Sequence, residues 1–417
     1  MDESIIHQRI ESVWRLESAK IIASLTRMVK DISLAEDVTQ DALIIAIEHW
    51  SVSGIPDNPG AWLMTVAKRK AIDILRRKKR LEQKYEHIAF EMNTHNDYDF
   101  SEEIEEEIKD NVLRLLFMTC HPVLSKNARV ALTLRLVGGL TTEEIAQAFL
   151  VPEATIAQRI VRAKRTLATA NVPFEIPQKS AYEERLSSVL EVIYLMFNEG
   201  YSATSGNNLI RMNLCYEALR VGRVLADLIF KEPEVYGLIA LMEIQVSRFK
   251  TRTNTEGEMI LLMDQNRSLW NQDHIQRGVA ALKKAEDLGG TFGLYALQAA
   301  IAACHAIADT PEKTNWKRIS VLYEALSKIA PSPVVELNRA VAISMVYGPL
   351  AALEIVDSLL LEPALKNYHL LPSVKGNFLL KLGRKIEASE EFQRAALLTQ
   401  NIQEQKFLLK QAKDCTK

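Results

Sequence analysis

Arg159, Arg162, Lys164 and Arg165 crowd into one short stretch, "EATIAQRIVRAKRTL", of a chain whose formal net charge is only −2. Guanidinium groups stay charged at physiological pH, and their planar fork fits a phosphate or a guanine edge in two-point contact. The chemistry such a cluster can do is therefore grip on a polyanion. Wound as a helix, Ile156, Ile160, Ala163 and Leu167 share one face at spacings of four, three and four. Ala154, Gln158, Arg162 and Arg165 then lie opposite, with Arg159 and Lys164 on the flanks.

A second element has to hold that helix at an angle. Thr141 can cap a preceding helix, with Glu144 three residues on completing a capping box. That helix runs to about Phe149, and Pro152 suits the first turn of the next. Two short helices joined by a tight break have the layout of a helix-turn-helix reader, whose outer face meets base edges while flanking cations meet phosphates. A merely solvated basic face is the plainer alternative. A second basic stretch, "NPGAWLMTVAKRKAIDILRRKKR" (58–80), interleaves Trp62, Val66, Ile72 and Leu75 with Lys68, Arg69, Lys70, Arg76 and Arg77. Cations beside an aromatic suit single-stranded or partly melted nucleic acid; the alternative makes Trp62 a core residue. Ser33 and Glu36 form a further capping box ahead of "LAEDVTQDALIIAIEHW". Asp37, Gln40, Asp41, Ile44 and Glu48 can share one face there, which suits a protein partner or simple solvation.

The 417 residues bound the organisation at two to four domains. Sparse Gly and Pro, long amphipathic stretches and few alternating β-branched runs predict an all-α protein. Charge divides the chain. Residues 62–84 hold nine Lys/Arg against two Asp/Glu, and residues 91–110 hold nine Asp/Glu against one Lys. The acidic run reads as a solvated tether. The expected parts are a helical domain at 1–85, a tether at 86–108, a second helical domain at 109–172 and a helical region at 180–417. Cys120, Cys215, Cys304 and Cys415 are scattered, so neither a disulfide framework nor a metal site is expected. No basic leader precedes an apolar stretch at the N-terminus, and the run at 293–308 is too short to span a bilayer. A cytoplasmic protein with no membrane attachment is expected. No Gly-rich phosphate loop, GxSxG, HExxH or GxGxxG occurs, so neither enzyme activity nor a cofactor is expected.

"AEDVTQDAL", "WLMTVAKRKAIDILRR" and "TTEEIAQAFLVPEATIAQRIVRAKRTL" resemble, in order, regions 2.2, 2.4 and 4.2 of an extracytoplasmic-function (ECF) bacterial sigma factor. "YLMFNEGYSA", "DQNRSLW" and "SPVVELNRAVA" extend the resemblance to the subgroup with a long C-terminal helical extension. The resemblance implies a transcription-initiation factor with core RNA polymerase and promoter DNA as partners. Asp37, Gln40 and Asp41 would meet the β′ clamp helices. Trp62, Lys68, Arg69, Lys70, Arg76 and Arg77 would open and hold the −10 element. Thr155, Gln158, Arg159, Arg162, Lys164 and Arg165 would read the −35 element. Many members carry Asn where this sequence has Arg69. An ordinary helix-turn-helix regulator with a ligand-binding helical domain is the competing reading.

In the C-terminal region, Gly376, Gly383, Ala388, Phe392 and Ala395 fall at tetratricopeptide-like spacing, small residues letting paired helices approach around Phe392. Ser332 is placed to cap a helix that Pro333 begins. Asn198, Glu199, Asp264, Arg267 and Asn338 are candidates to line a groove for a protein or small-molecule regulator; the alternative is that such groups cap helices and bridge them.

Overall fold

The computed structural model describes residues 3–83, 102–149, 151–202, 210–254, 258–399 and 401–416. Among these, regular structure is helical apart from one isolated bridge between Thr253 and Met259. The chain forms two compact units, Met1–Val192 and Ile193–Lys417.

In the first unit, α1 (Glu3–Val29), α2 (Ile32–Ser53) and α3 (Pro59–Gln83) pack together. Ile21, Leu25, Ala35, Val38, Ala42, Ala46 and Trp50 make the core, and α3 adds Leu63, Ala67 and Ala71. The deeply buried stripe of α3 is thus one built on small residues, while Trp62 and Val66 sit at its margin. Asp31, not Ser33, caps α2, accepting from the amides of Ser33 and Leu34. The capping box expected of Ser33 and Glu36 does not form: Glu36 turns inward to other partners. The helices α4 (Glu102–Thr119), α5 (Lys126–Leu136), α6 (Thr142–Phe149) and α7 (Glu153–Thr169) follow. Most of the expected acidic tether lies outside the described residues, and its last stretch already belongs to α4.

The next helix, α8 (Tyr182–Tyr201), begins in the first unit, where polar groups fasten it. Buried Arg129 donates to Ser188, Ser188 donates to the Cys120 carbonyl, and Arg185 donates to the Phe117 carbonyl. The Cys120 thiol lies against Thr119 and Thr133, and burial pushes its pKa up to about 11. It stays protonated at neutral pH, which fits a packing role rather than a metal-binding one.

The second unit stacks helices in chain order. They are α9 (Met212–Leu228), α10 (Pro233–Val246), α11 (Gln272–Asp287), α12 (Leu294–Ala306), α13 (Trp316–Ile329), α14 (Pro333–Tyr347), α15 (Pro349–Leu359), α16 (Leu370–Lys381), α17 (Lys385–Leu398) and α18 (Ile402–Cys415). From α9 onward each packs against the next. Close approach relies on missing side chains. A Cβ at Gly237 would stand 2.6 Å from the Ala296 backbone nitrogen, and one at Gly376 3.1 Å from the Phe392 ring. Phe392, Ala388 and Ala395 are buried, so the small-residue hairpin forms as expected. Ser332 caps α14 with Pro333 in its first turn.

Arg267 answers the question left open for it. It is 6% exposed, and it donates to the carbonyls of His305 and Ala308 and to the Thr314 hydroxyl, closing the C-terminal end of α12. Glu234 does the converse at the other end, accepting from the amides of Tyr295 and Ala296. Burial, reinforced by Arg248 and Arg267, pushes His305 down to about 3. Its folded value thus lies below the unfolded value of about 6.5. Between those limits the unfolded chain binds the extra proton, so stability falls as pH drops through that window. From pH 7 to pH 5 His305 should remove about 2 kcal/mol. The expected outcome is that His305→Gln loses less Tm than the parent chain between pH 7 and pH 5, measured by thermal melts.

Candidate nucleic-acid interface

The geometry of α6 and α7 follows from capping and one apolar stripe. The Thr141 amide donates to Glu144 at 2.8 Å, and the Glu144 amide donates back to the Thr141 hydroxyl at 3.1 Å. That is the reciprocal box expected. Ile156, Ile160, Ala163 and Leu167 are the buried residues of α7. Their burial turns Thr155, Gln158, Arg162 and Arg165 outward, and all four are exposed. Arg159 sits half-buried on the flank. A groove of about 360 Å³ runs beside this face, lined among others by Ser125, Ala128, Gln158, Arg159, Arg162 and Thr166. Ser125 is the N-cap of α5, and its side chain makes no cap bond. Donors from two helices therefore border one groove, an arrangement that suits a sugar–phosphate backbone.

Lys164 stands apart from the other cations. Its side chain is 13% exposed and pairs with Glu36 of α2. Arg135 of α5 reaches the same carboxylate at 2.7 Å, and Gln40 donates to it at 2.6 Å. Glu36 is 4% exposed. Further contacts surround this pair. The Trp14 indole donates to the Gly139 carbonyl at 3.2 Å, and Arg15 pairs with Glu144 at 2.7 Å. Gly139 holds φ +70° in the turn between α5 and α6, within 3.5 Å of the Arg15 backbone as judged from an added Cβ. Glu36 was legible only in part: it lies four residues after Ile32 and three before Thr39, on the buried stripe of α2, but its partners are about a hundred residues away.

On α3, Arg69, Arg76 and Arg77 are exposed, while Lys68 and Lys70 are half-buried. Desolvation lowers the Lys68 pKa. Lys70 pairs with Asp41 at 2.9 Å. Trp62 is partly buried, its ring 5.2 Å from that of buried Trp50 and 5.6 Å from that of exposed His49. It is thus part core and part surface. Asp37 projects into solvent at the next position along α2 from Glu36.

In the second unit, Asn198, Asp264 and Asn338 are exposed. Glu199 pairs with Arg211 at 2.6 Å, and Arg267 closes α12 as described. Glu199 and Arg267 are thus engaged within the fold, while Asn198, Asp264 and Asn338 face solvent. Among the described residues no group of three or more His, Cys, Asp and Glu is placed to hold a metal, and no helix is long and apolar enough to cross a membrane.

Comparison with known proteins adds to this geometry. Residues 15–81 match the family described as Sigma-70 region 2, residues 114–167 match Sigma-70, region 4, and residues 185–286 match a family of unknown function, DUF6596. The uncharacterized protein R00370 of Rhizobium meliloti (strain 1021) is 41% identical over 393 residues, covering 93% of this chain and 91% of that protein. The probable ECF RNA polymerase sigma factor SigI of Mycobacterium tuberculosis is 25% identical over 166 residues, covering 40% of this chain and 57% of that protein. No solved structure matches. The family boundaries fall on the helices just described: α1–α3 carry the first match and α4–α7 the second.

Loss of the Thr141 hydroxyl removes one half of the box that starts α6. Thr141→Ala is expected to cost about 1 kcal/mol, seen as a lower midpoint in chemical denaturation.

Proposed function

Because the chain belongs to the extracytoplasmic-function sigma factors and carries a long helical extension, we propose that its two basic faces work on one promoter, at separate elements. As a sigma factor it directs transcription initiation by joining core RNA polymerase to promoter DNA. The single observation that supports the finer reading is the outward array of Thr155, Gln158, Arg162 and Arg165 on a helix anchored by its opposite stripe. That array is shaped for the major groove of the −35 duplex. Arg162 and Arg165 offer two-point contacts to guanine or phosphate, and Gln158 to adenine. Arg159 faces the backbone from the flank, and Lys164 joins it once freed from Glu36.

The −10 element falls to α3. Trp62 lies at the surface edge of the first core, where an unstacked base can lie against its ring. Arg69, Arg76 and Arg77, with Lys68 and Lys70, line the path of the parted strand. Asp37, Gln40 and Asp41 on α2 are assigned to the polymerase β′ clamp helices. The two sigma families matched are those of DNA-binding regulators, and the role assigned to the chain is one of binding. The helical extension is assigned a regulatory role, taking a protein or small-molecule regulator in place of a separate inhibitor protein; its helices stack in series, an architecture that presents extended surfaces to partners.

Run-off transcription with purified core polymerase and a promoter library tests this. Specific transcripts that depend on the chain are expected; their absence from every template would refute the reading. Arg165→Ala is expected to weaken duplex binding about tenfold and to lower the salt dependence of binding by about one released counterion, measured by fluorescence anisotropy across a salt series.

A further inference from the structure

We propose that Arg248 and Arg252 of the second unit receive a small dianion, a phosphate monoester or a dicarboxylate, with Arg267 adding its charge from behind. Binding stands on the geometry of this cluster alone; a regulatory effect of the occupant rests on the preceding reading of the extension.

Two stretches singled out in the sequence, "YLMFNEGYSA" and "DQNRSLW", meet here. Tyr201 ends α8, Trp270 ends the second stretch, and Arg248 and Arg252 flank the short turn Phe249–Thr251. The Arg252 guanidinium carbon stands 3.7 Å from the centre of the Tyr201 ring, and that of Arg248 stands 5.8 Å from it. Arg248 is also 5.8 Å from the Trp270 ring, and Arg267 is 5.3 Å from the same ring. Two aromatic rings thus tie three guanidinium groups into one cluster. Burial lowers the pKa of Arg252 and of Arg267, and the charge of Arg248 adds to the fall in both.

Elsewhere in this unit arginines face carboxylates: Arg211 pairs with Glu199, Arg220 with Glu217 and Arg223 with Glu243. Among the described residues, Arg248, Arg252 and Arg267 have no such pair, and every acceptor they reach is neutral. Arg248 donates to the Tyr201 hydroxyl and the Gln245 side chain, and Arg252 to the Tyr201 carbonyl. Arg267 is spent on the end of α12. Glu404 and Glu312 act on the cluster without pairing with it, and Glu404 is held by His369 at 3.2 Å and Thr399 at 2.7 Å. Donors are also in excess. Arg248 Nε, Arg267 Nε and the Trp316 indole nitrogen are buried with no partner among the described residues. So is Nδ1 of His305, whose ring lies 5.0 Å from that of Trp316. Grouped cations and spare donors are what an oxyanion satisfies.

The charge count selects the class. Arg267 has a helix end to face, which leaves two cations side by side, and a dianion matches two. Arg248, Arg252 and Tyr201 are partly exposed, so a small molecule can reach them. The site also has a second wall. The Ile260 amide donates to the Arg252 carbonyl at 2.9 Å, and nearby Glu258 is reached by Lys410 of α18 at 3.8 Å. The last helix of the array therefore stands beside the turn that carries the arginines, and an occupant there can tie the start of the array to its end.

The test titrates the full chain with inorganic phosphate, succinate and acetate at fixed ionic strength, up to about 10 mM, by calorimetry and thermal melts. At least one of the two dianions is expected to bind about tenfold more tightly than acetate and to raise Tm. The stronger of the two tells phosphate from dicarboxylate. Arg248→Gln and Arg252→Gln should each weaken that binding about tenfold and remove the rise in Tm. Lys283→Gln, on the exposed side of α11, loses the same charge and should change neither. Should Arg248→Gln fail to fold by circular dichroism, Arg252→Gln decides alone. No binding of either dianion overturns the proposal, as does acetate binding equally well. Binding that survives in the folded variants means an adventitious ion only and overturns it too. A parent that binds a dianion through these arginines, yet transcribes with polymerase identically with and without it, leaves the site standing and sinks the regulatory reading of the extension.

Discussion

Everything on the nucleic-acid side depends on one constraint: a helix can display cations to solvent only if another of its faces pays for its folding. The stripe of Ile156, Ile160, Ala163 and Leu167 supplies that, and with it the orientation of α7 is no longer free. Four apolar groups fix which residues face out. The Thr141–Glu144 box then fixes where α6 begins. The same division recurs on α3, where Leu63, Ala67 and Ala71 are buried and Arg69, Arg76 and Arg77 remain in water. Small residues let α3 lie close to α2, which brings Trp62 over Trp50 instead of leaving it fully exposed.

Charge in this protein works by local contrast. The net balance is almost neutral, yet cations concentrate on α3 and α7. Within the first unit some of that charge is answered internally, by Glu36 and Asp41. In the second unit, Arg267 meets carbonyl groups at a helix end. An arginine facing a helix C-terminus interacts with the negative end of the backbone dipole array, which helps hold its charge in a buried site.

The parts legible in the sequence were those governed by neighbours in the chain. The capping box at Thr141, the buried stripe of α7, the cap at Ser332 and the packing of Phe392 against Gly376 all follow from spacings of sixteen residues or fewer. Misreadings came where distant partners decide. Ser33 and Glu36 have the spacing of a cap, but Asp31 is better placed to accept from the first amides, and Glu36 finds Arg135 across the fold. Arg267 stayed open between lining a groove and closing a helix because its carbonyl partners, beyond position 300, carry no mark in the sequence. A buried polar group is hard to recognise from sequence because its acceptor is often backbone, which every residue has.

The serial stacking from α9 to α18 has its own consequence. Most helices lean on the ones beside them in the chain, with α10 and α12 also packed directly together, so cohesion there is largely a sum of local seams rather than a property of one shared centre. Such an array can lengthen or shorten by a hairpin during evolution with little penalty elsewhere. Pulled or heated, it would yield from its extremities inward, behaving more like a spring than a solid.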